Sequence, residues 1–310
     1  MSLPPLVCLV GPTGVGKTEV ALLLAERLQA EIVSADSRLL YRGMDIGTAK
    51  PLPEELRRIP HHLVDVAAPD ETWSLARVRG EALRAVEMIT ARRRLPLMVG
   101  GTGQYVRAIL EGWVPPPKAG DSQVRQRLEA IARDAGPDAL HGRLRQADPS
   151  SAERIDARNV RRVVRALEIL EVTGQPASVL RRPQPPPYRI LRLGLTAPRE
   201  VLYARIDARI DRMLELGWVD EVRRLIAEGF DTNLPSFSAI GYPQIVEVVQ
   251  RRRSLEEATT EIRRRTRVLV RHQANWFKPG DRSILWFESE ADVATAMQAA
   301  VRDWMAGAAG

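Results

Sequence analysis

Residues 11–18, with the sequence GPTGVGKT, constrain the fold of this chain more than any other stretch. They match the pattern G-x-x-x-x-G-K-[ST], in which backbone N–H groups and a helix N-terminus surround phosphate oxygens. An apolar run precedes the motif and helical spacing follows it, as the pattern requires. The predicted diphosphate-binding residues are Gly11, Pro12, Thr13, Gly14, Val15, Gly16, Lys17 and Thr18. Lys17 would contribute a positive charge and Thr18 a hydroxyl ligand for Mg²⁺.

Strand and helix patterns alternate over residues 5–112. Apolar runs near residues 5–10, 31–36 and 95–100 are typical of strands buried on both faces. The stretches 17–30 and 74–93 have apolar residues at helical spacing. This alternation predicts a parallel sheet with right-handed crossovers, whose functional loops follow the carboxyl ends of the strands.

Two proline clusters, at residues 114–120 and 181–189, bracket a polar, arginine-rich segment with helical patterns. We interpret this segment as a helical insertion on stiff proline linkers. The predicted division is a core formed by residues 1–113 and 189–310, and an insertion domain over residues 114–188. Strand character returns near residue 188, and further elements are expected at about 198–216, 218–228, 254–273 and in the run SILWFE.

The amino-acid composition does not identify the binding partner. Lysine and arginine number 46 against 39 aspartate and glutamate, a net charge of +7 that suits a polyanion such as nucleic acid. Only four of the 46 are lysine, an arginine bias that a GC-rich genome also produces. No apolar run is long enough to span a bilayer, and the first residues lack a basic leader, so we expect no membrane association and a cytoplasmic protein. The single cysteine, Cys8, excludes an intrachain disulfide and a cysteine-rich zinc site.

Polar residues follow the second predicted strand. Asp36 ends that strand beside the first loop, where it would act as a general base or hold Mg²⁺ through water. A turn or helix N-cap is the simpler alternative for this aspartate. Lys50 ends the same stretch and is a candidate for contact with a phosphate backbone. His61 and His62 have no cysteine or third histidine nearby, so hydrogen-bonding roles are favoured over a metal site.

Three arginines share one face of a predicted helix. Arg205, Arg209 and Arg212 are spaced by four and three residues. Pairing with Asp207 and Asp211 along a solvated helix explains this pattern, and so does an arginine directed at a leaving diphosphate.

Three further stretches carry weaker signals. The run GGTGQY at residues 100–105 is a second glycine loop after a buried strand, where a backbone or a flat ligand can approach closely. Residues 161–165 contain an arginine cluster suited to phosphate contacts. Residues 263–280 mix arginine with tryptophan and phenylalanine, which fits either a nucleic-acid surface or a packed final helix.

The motifs also occur in a familiar order: GPTGVGKT, DSRLLYRGMDIGTAKP, HHLVD, GGTGQY, RNVRRVVRALEILEVTGQP, LYARIDARIDRMLELGWVDEV, AIGY and HQANWF. Together they resemble the tRNA dimethylallyltransferase (tRNA isopentenyltransferase) family, bacterial type, over about residues 6–278. The stretch 36–51 is far more specific to that family than the phosphate loop is. The resemblance implies an α/β fold: a P-loop NTPase-like core with a parallel sheet flanked by helices, plus a small all-helical insertion domain.

The resemblance also implies a reaction and residue roles. The loop would hold dimethylallyl diphosphate with Mg²⁺ rather than ATP, and the prenyl group would pass to N6 of the adenosine immediately 3′ of the anticodon in tRNA. Asp36 would be the general base, Lys17 and Thr18 would hold the diphosphate and Mg²⁺, and Arg209, with Arg205 as second choice, would stabilise the leaving group. Thr102 would position substrate near the flipped-out base. The implied contacts with the tRNA anticodon stem-loop are Asp36, Ser37, Arg38, Leu39, Lys50, Arg161, Arg162, Val163, Val164, Arg165, Ile240, Gly241, Tyr242, Arg271, Gln273 and Lys278.

The sequence departs from the family pattern at a few positions, and it leaves two alternative functions open. Gln104 and Pro243 replace residues usual in the family, and the single cysteine excludes the zinc finger of the eukaryotic relatives. A P-loop kinase, with Asp36 as base and ATP as phosphoryl donor, would explain residues 6–105 but leave the basic insertion unused. An RNA-binding ATPase is a second rival. A preference for dimethylallyl diphosphate over ATP separates the transferase from both, and we expect a monomer.

Overall fold

The computed structural model describes residues 3–113, 121–180 and 185–307. The chain forms two compact units: the first contains Met1–Trp73, Val78–Val106 and Pro187–Gly310, and the second contains Ser74–Arg77 and Arg107–Pro186. The predicted linker at 114–120, and residues 181–184 of the second proline cluster, lie outside the described residues.

A parallel sheet of six strands organises the first unit, which confirms the predicted α/β fold. The strands are β1 (Pro5–Val10), β2 (Ala30–Ser34), β3 (His61–His62), β4 (Leu95–Gly100), β5 (Arg189–Thr196) and β6 (Leu285–Glu288). Their spatial order is β3-β2-β4-β1-β5-β6. Strand β4 and its glycine loop lie between β2 and β1, so Asp36 and the first loop follow strands that are not adjacent.

The helices agree with the predicted pattern and differ at their ends. Their bounds are α1 Lys17–Leu28, α2 Pro53–Arg58, α3 Leu75–Ala91, α4 Gly103–Leu110, α5 Ser122–Asp134, α6 Pro137–Ala147, α7 Pro149–Ala152, α8 Val160–Thr173, α9 Ala177–Leu180, α10 Arg199–Glu215, α11 Trp218–Ala227, α12 Tyr242–Val249, α13 Leu255–Trp276 and α14 Val293–Ala306. Helix α1 stops before the predicted residue 30, because Gln29 adopts a left-handed conformation and Ala30 begins β2. Helix α13 continues to Trp276, three residues past the predicted end.

The sheet is the centre of the first unit's core. The strands β1, β2 and β4 are almost completely buried, as their continuous apolar runs predict. Helix α1 contacts β2 and β4, α14 contacts β5 and β6, and the two helices contact each other, so they cover one face of the sheet. Burial raises the pKa of the Cys8 thiol in β1 to about 12. Among the described residues, the structure contains no helix of the length and apolarity that a membrane crossing needs.

The second unit has its own apolar core, formed by helices α5 to α9. Its buried members include Leu128, Leu140, Leu144, Val163, Val164 and Leu167. The carboxylate of Glu168 is fully buried in this core and pairs with Arg125 at 3.0 Å and Arg165 at 2.7 Å. Because a buried carboxylate needs such partners, these two arginines stabilise the unit itself.

A buried carboxylate also holds the stretch that follows β2. Glu221 of α11 accepts hydrogen bonds from the backbone N–H groups of Asp45 and Ile46, both at 2.7 Å, and of Gly47 at 3.2 Å. The hydroxyl of Tyr242 donates to the same carboxylate at 2.7 Å. Burial, followed by the Glu221 charge, raises the pKa of Tyr242, so the phenol stays a donor. This arrangement fixes residues 45–47 against α11 and α12.

The close packing at residue 47 makes a testable prediction. A Cβ at Gly47 would lie 2.0 Å from Trp218 Nε1 and 2.7 Å from Tyr242 Cε2, and both rings are buried. We expect Gly47→Ala to lower the free energy of unfolding by about 1–3 kcal/mol, measured from the urea midpoint. Gly80→Ala in α3 is the control, because its Cβ would meet only Arg84 Nη2 at 3.8 Å and alanine favours a helix. Equal midpoints for the two variants would contradict this packing.

Candidate active site

The first glycine loop has the conformation of an anion-binding loop. Gly14 and Gly16 have positive φ values of 84° and 94°, and Gly16 caps α1 without any side-chain hydrogen bond. The first turn of α1 therefore presents backbone N–H groups that no capping side chain occupies. Gly16 and Thr18 are exposed, so the loop opens to solvent.

Lys17 lies at this loop with an altered proton affinity. Its Nζ donates to the carbonyl oxygen of Pro12 at 2.9 Å. Burial lowers the pKa of Lys17 to about 8, while the charge of Asp36 raises it and that of Arg209 lowers it. The structure thus brings together the lysine of the first loop, the aspartate after β2 and an arginine of α10.

Helix α10 packs directly on the loop. A Cβ at Gly14 would lie 3.0 Å from Ile206 Cγ1 and 3.3 Å from the carbonyl oxygen of Leu202. Arg209, one turn beyond Ile206, keeps solvent contact although protein surrounds it closely. Burial lowers the pKa of Arg209, and the nearby charge of Asp36 raises it. Its guanidinium is therefore a cation that lies near Asp36 and remains accessible to a ligand.

The neighbouring arginines of α10 have other contacts. Arg205 donates to Ser289 Oγ at 3.0 Å, and Arg212 pairs with Glu215 at 3.2 Å. The suggested partners along the helix, Asp207 and Asp211, are instead bound by α13: Arg267 pairs with Asp207 at 2.6 Å and Arg263 with Asp211 at 2.5 Å. The pairing interpretation is wrong as to partners, because both aspartates pair with arginines of α13.

Asp36 lies in a turn immediately after β2 and is partly buried. Its Oδ1 accepts from the backbone N–H of Arg38 at 2.8 Å, so the predicted turn role is present. The next residue, Ser37, donates its N–H to Thr102 Oγ1 at 3.3 Å. The stretch containing Asp36 is thereby joined to the second glycine loop, which lies between it and the phosphate loop.

Tyr105 is a site residue that the sequence reasoning missed. Burial raises the pKa of Tyr105 to about 12, with smaller effects from Tyr41, Arg38 and Asp36. It follows Thr102 by three residues, and its N–H donates to the Thr102 carbonyl oxygen at 2.9 Å at the start of α4. Its place at the end of the run GGTGQY was the signal in the sequence.

Several residues assigned to tRNA contact have structural roles instead. Lys50 is buried: its Nζ donates to the Tyr41 carbonyl oxygen at 2.8 Å and pairs with Asp45 at 2.5 Å and with Asp65. Lys50 therefore has a structural role in this chain, and its contact with a phosphate backbone stays a prediction. Also buried are Val163, Val164, Gly241, Tyr242 and Gln273, whose contact with tRNA likewise stays a prediction.

The remaining members of that set reach the surface. Arg161, Arg162, Arg271 and Lys278 are exposed, and Ser37, Arg38, Leu39, Arg165 and Ile240 are partly exposed. The Nη1 of Arg38 donates to the Pro235 carbonyl oxygen and to Ser238 Oγ, both at 3.2 Å, while Arg165 is held by Glu168.

The paired histidines have hydrogen-bonding roles, as predicted. His62 Nε2 lies 2.8 Å from Glu31 Oε2, which also pairs with Arg92 at 2.7 Å. His61 Nδ1 lies 2.7 Å from the Ile59 carbonyl oxygen, and burial lowers its pKa. Over the described part of the chain, no three His, Cys, Asp or Glu side chains are grouped to hold a metal ion.

The lowered pKa of Lys17 predicts proton uptake on ligand binding. A diphosphate beside the ammonium raises its pKa above the free value of about 8. The contribution of this charge to affinity is then complete below the free pKa and is lost as pH rises through the bound pKa. At about pH 8.5 we expect inorganic diphosphate to bind with uptake of up to about one proton, measured by calorimetry in buffers of different ionisation enthalpy.

Lys17→Met is the matched variant for that measurement. The ionisation of the ligand itself is common to both proteins, so the difference between them isolates the lysine. Equal proton uptake by wild type and Lys17→Met would contradict the assignment.

Comparison with known proteins places this geometry in a family. The family described as IPP transferase matches residues 39–280, and that described as isopentenyl transferase matches residues 4–66. The tRNA dimethylallyltransferase of Roseiflexus castenholzii is 51% identical over 274 residues, covering 88% of this chain and 90% of that protein.

Solved structures are similar to this chain over nearly its whole length. The tRNA isopentenylpyrophosphate transferase of Bacillus halodurans is 38% identical, with a TM-score of 0.71 over 98% of this chain and 96% of that one. A eukaryotic dimethylallyltransferase acting on tRNA has a TM-score of 0.82 at 24% identity, covers 98% of this chain and 80% of that one, and supports the fold alone. The chain therefore belongs to the IPP transferase family, the family of the tRNA dimethylallyltransferases, as its motifs predicted.

Proposed function

We propose that this protein transfers the dimethylallyl group of dimethylallyl diphosphate to N6 of the adenosine immediately 3′ of the anticodon in tRNA. The products are N6-isopentenyladenosine and diphosphate. The observation that carries the proposal is the convergence of Lys17, Arg209 and Asp36 at an open phosphate loop. Two cations there suit a diphosphate, and the carboxylate suits a proton acceptor.

The diphosphate half of the reaction belongs to the loop and to α10. Backbone N–H groups of residues 14–18 bind the phosphate oxygens, with Lys17 as a point charge. When the allylic carbon–oxygen bond breaks, its electron pair goes to the departing diphosphate oxygen. Arg209 remains accessible on α10, where its charge would stabilise that developing negative charge.

The residues present fit a Mg²⁺ ion. Thr18 offers an exposed hydroxyl on the first turn of α1, and Asp36 offers a carboxylate nearby. Mg²⁺ favours such oxygen ligands together with substrate phosphates. Thr18 would hold the ion directly, and the ion would supply charge neutralisation of the diphosphate.

The nucleophile half belongs to Asp36. The N6 lone pair attacks the allylic carbon as the bond to diphosphate breaks, and the proton that N6 loses passes to the Asp36 carboxylate. Thr102 Oγ1 accepts from Ser37 N–H, so it helps to hold the aspartate in place. The adenine must leave its stack to reach this position, which costs a few kcal/mol and is offset by contacts with the tRNA.

Exposed arginine and lysine side chains would supply those contacts. We assign this role to Arg161, Arg162, Arg271 and Lys278, the exposed basic members of the predicted set. Their contacts with phosphates would make tRNA affinity fall with salt concentration. The protein would act as a monomer in the cytoplasm, where its tRNA substrate is found.

Replacement of Asp36 tests the proposed base. Asp36→Asn keeps an oxygen to accept from Arg38 N–H but cannot take up a proton at neutral pH. We expect the transfer of radiolabelled dimethylallyl groups to tRNA to fall about 10²–10⁴-fold in kcat with tRNA binding retained. Asp231→Asn is the control, because Asp231 Oδ1 makes the same turn with Asn233 N–H at 2.9 Å on an exposed loop. Wild-type kcat in Asp36→Asn would exclude the base role, and ATP turnover without labelled tRNA would favour the kinase.

Arg209 and Arg212 form a matched pair on the same helix. We expect Arg209→Ala to lower kcat/KM for dimethylallyl diphosphate by about 10²–10³-fold, because a cation beside the leaving group is lost. Arg212→Ala loses only an exposed pair with Glu215 and is expected to retain wild-type activity. Steady-state kinetics with saturating tRNA measure both, and equal effects of the two variants would remove Arg209 from the site.

A further inference from the structure

The side chain of Gln273 connects two catalytic loops. It lies on the last turns of α13 and is 7% exposed. Its Oε1 accepts from the backbone N–H of Thr13 in the phosphate loop at 2.8 Å. Its Nε2 donates to the carbonyl oxygen of Gly101 in the second glycine loop at 3.1 Å. Since the backbone N–H only donates and the carbonyl only accepts, the orientation of the amide is determined by its partners.

The backbone of the second glycine loop packs closely against the end of α13. A Cβ at Gly101 would lie 2.5 Å from Gln273 Nε2 and 3.4 Å from the carbonyl oxygen of Gly11. A Cβ at Gly103 would lie 2.2 Å from Trp276 Cγ, three residues after Gln273 on the same face of α13. The glycines of residues 101–103 therefore allow the end of α13 to approach the loop closely.

The contacts continue to the proposed base. Gly101 precedes Thr102, whose Oγ1 accepts from Ser37 N–H immediately after Asp36. One series of hydrogen bonds and peptide bonds thus runs from the phosphate loop through Gln273 to the strand end that carries Asp36. The backbone N–H of Thr13 donates to Gln273, so this N–H group orients the loop rather than binding phosphate.

We propose that Gln273 is a positioning residue, which keeps the diphosphate bound at the first loop at a constant distance from the base at Asp36. The proposal rests on the prenyl transfer proposed above. In-line attack needs the nucleophile, allylic carbon and leaving group held together, and a misplacement of about 1 Å costs on the order of 10²-fold in rate. Gln273 acts only through the two loops and contacts neither reactant.

The test is the single-turnover rate of prenyl transfer with enzyme in excess over labelled dimethylallyl diphosphate and saturating tRNA. This first-order constant does not depend on the folded fraction of the enzyme, so a loss of stability alone leaves it unchanged. Gln273→Met keeps a similar volume and removes both hydrogen bonds. We expect its rate constant to fall at least about tenfold, with the affinity for inorganic diphosphate within a few-fold of wild type.

Gln244→Met is the matched control. Gln244 is also buried, at 4% exposed, and its Oε1 accepts from Gly241 N–H at 2.9 Å, so its replacement removes a buried amide contact away from the two loops. We expect it to be less stable than wild type but to keep the wild-type rate constant. Should Gln273→Met fail to fold, Gln273→Glu retains the acceptor for Thr13 N–H, loses the donor to Gly101, and is expected to be slowed in the same way.

The outcomes separate the two proposals. A wild-type rate constant in the folded Gln273 variant would show that Gln273 serves stability alone. The same reduction in Gln244→Met would show that the loss is not specific to the connection between the two loops, and would also overturn the positioning role. No transfer by the wild-type protein would overturn the proposed function, and this inference with it.

Discussion

The meeting of three loops at the carboxyl edge of a parallel sheet is the constraint on which the site depends. Strands β1, β4 and β2 are neighbours with their carboxyl ends together. A Cβ at Gly100 would lie only 2.4 Å from the Ala35 carbonyl oxygen, so the loop after β4 touches the end of β2. Without glycine there, Asp36 would stand farther from the phosphate loop. Backbone contact, rather than side-chain reach, brings the acid and the cations together.

Buried polar side chains then hold these loops in place. Glu221 binds three backbone N–H groups of residues 45–47, Lys50 binds the Tyr41 carbonyl oxygen and two aspartates, and Gln273 joins residues 13 and 101. Each of these groups is satisfied by hydrogen bonds, because a buried polar group without a partner would be costly. The result is a rigid edge on which Lys17 and Arg209 remain accessible to a ligand.

The candidate site was partly predictable, because its motifs occur at the ends of strands and helices that the sequence pattern also predicts. The loop at residues 11–18 and the strand before Asp36 could be placed from pattern alone, and the arginine of α10 from helical spacing. Burial is the feature that the sequence pattern did not reveal. Residues 161–165 were treated as one contact surface, although a helix with 3.6 residues per turn directs Val163 and Val164 into the core while Arg161 and Arg162 face out. Lys50 and Gln273 were assigned to tRNA because polar residues in a motif suggest contact, yet their partners lie far away in sequence or beneath the surface.

The sequence alone determined the α/β class and the family, because both depend on local periodicity or on residue types at short spacing. It also predicted the phosphate-binding role of residues 11–18 and the helical insertion. Tertiary structure decided the strand order that places β4 between β1 and β2, and the partners of Arg205 and Arg212 on α10. It also decided the roles of Gln273, Glu221 and Lys50. These outcomes depend on contacts such as Thr13 with Gln273, which are 260 residues apart and leave no pattern in a single sequence.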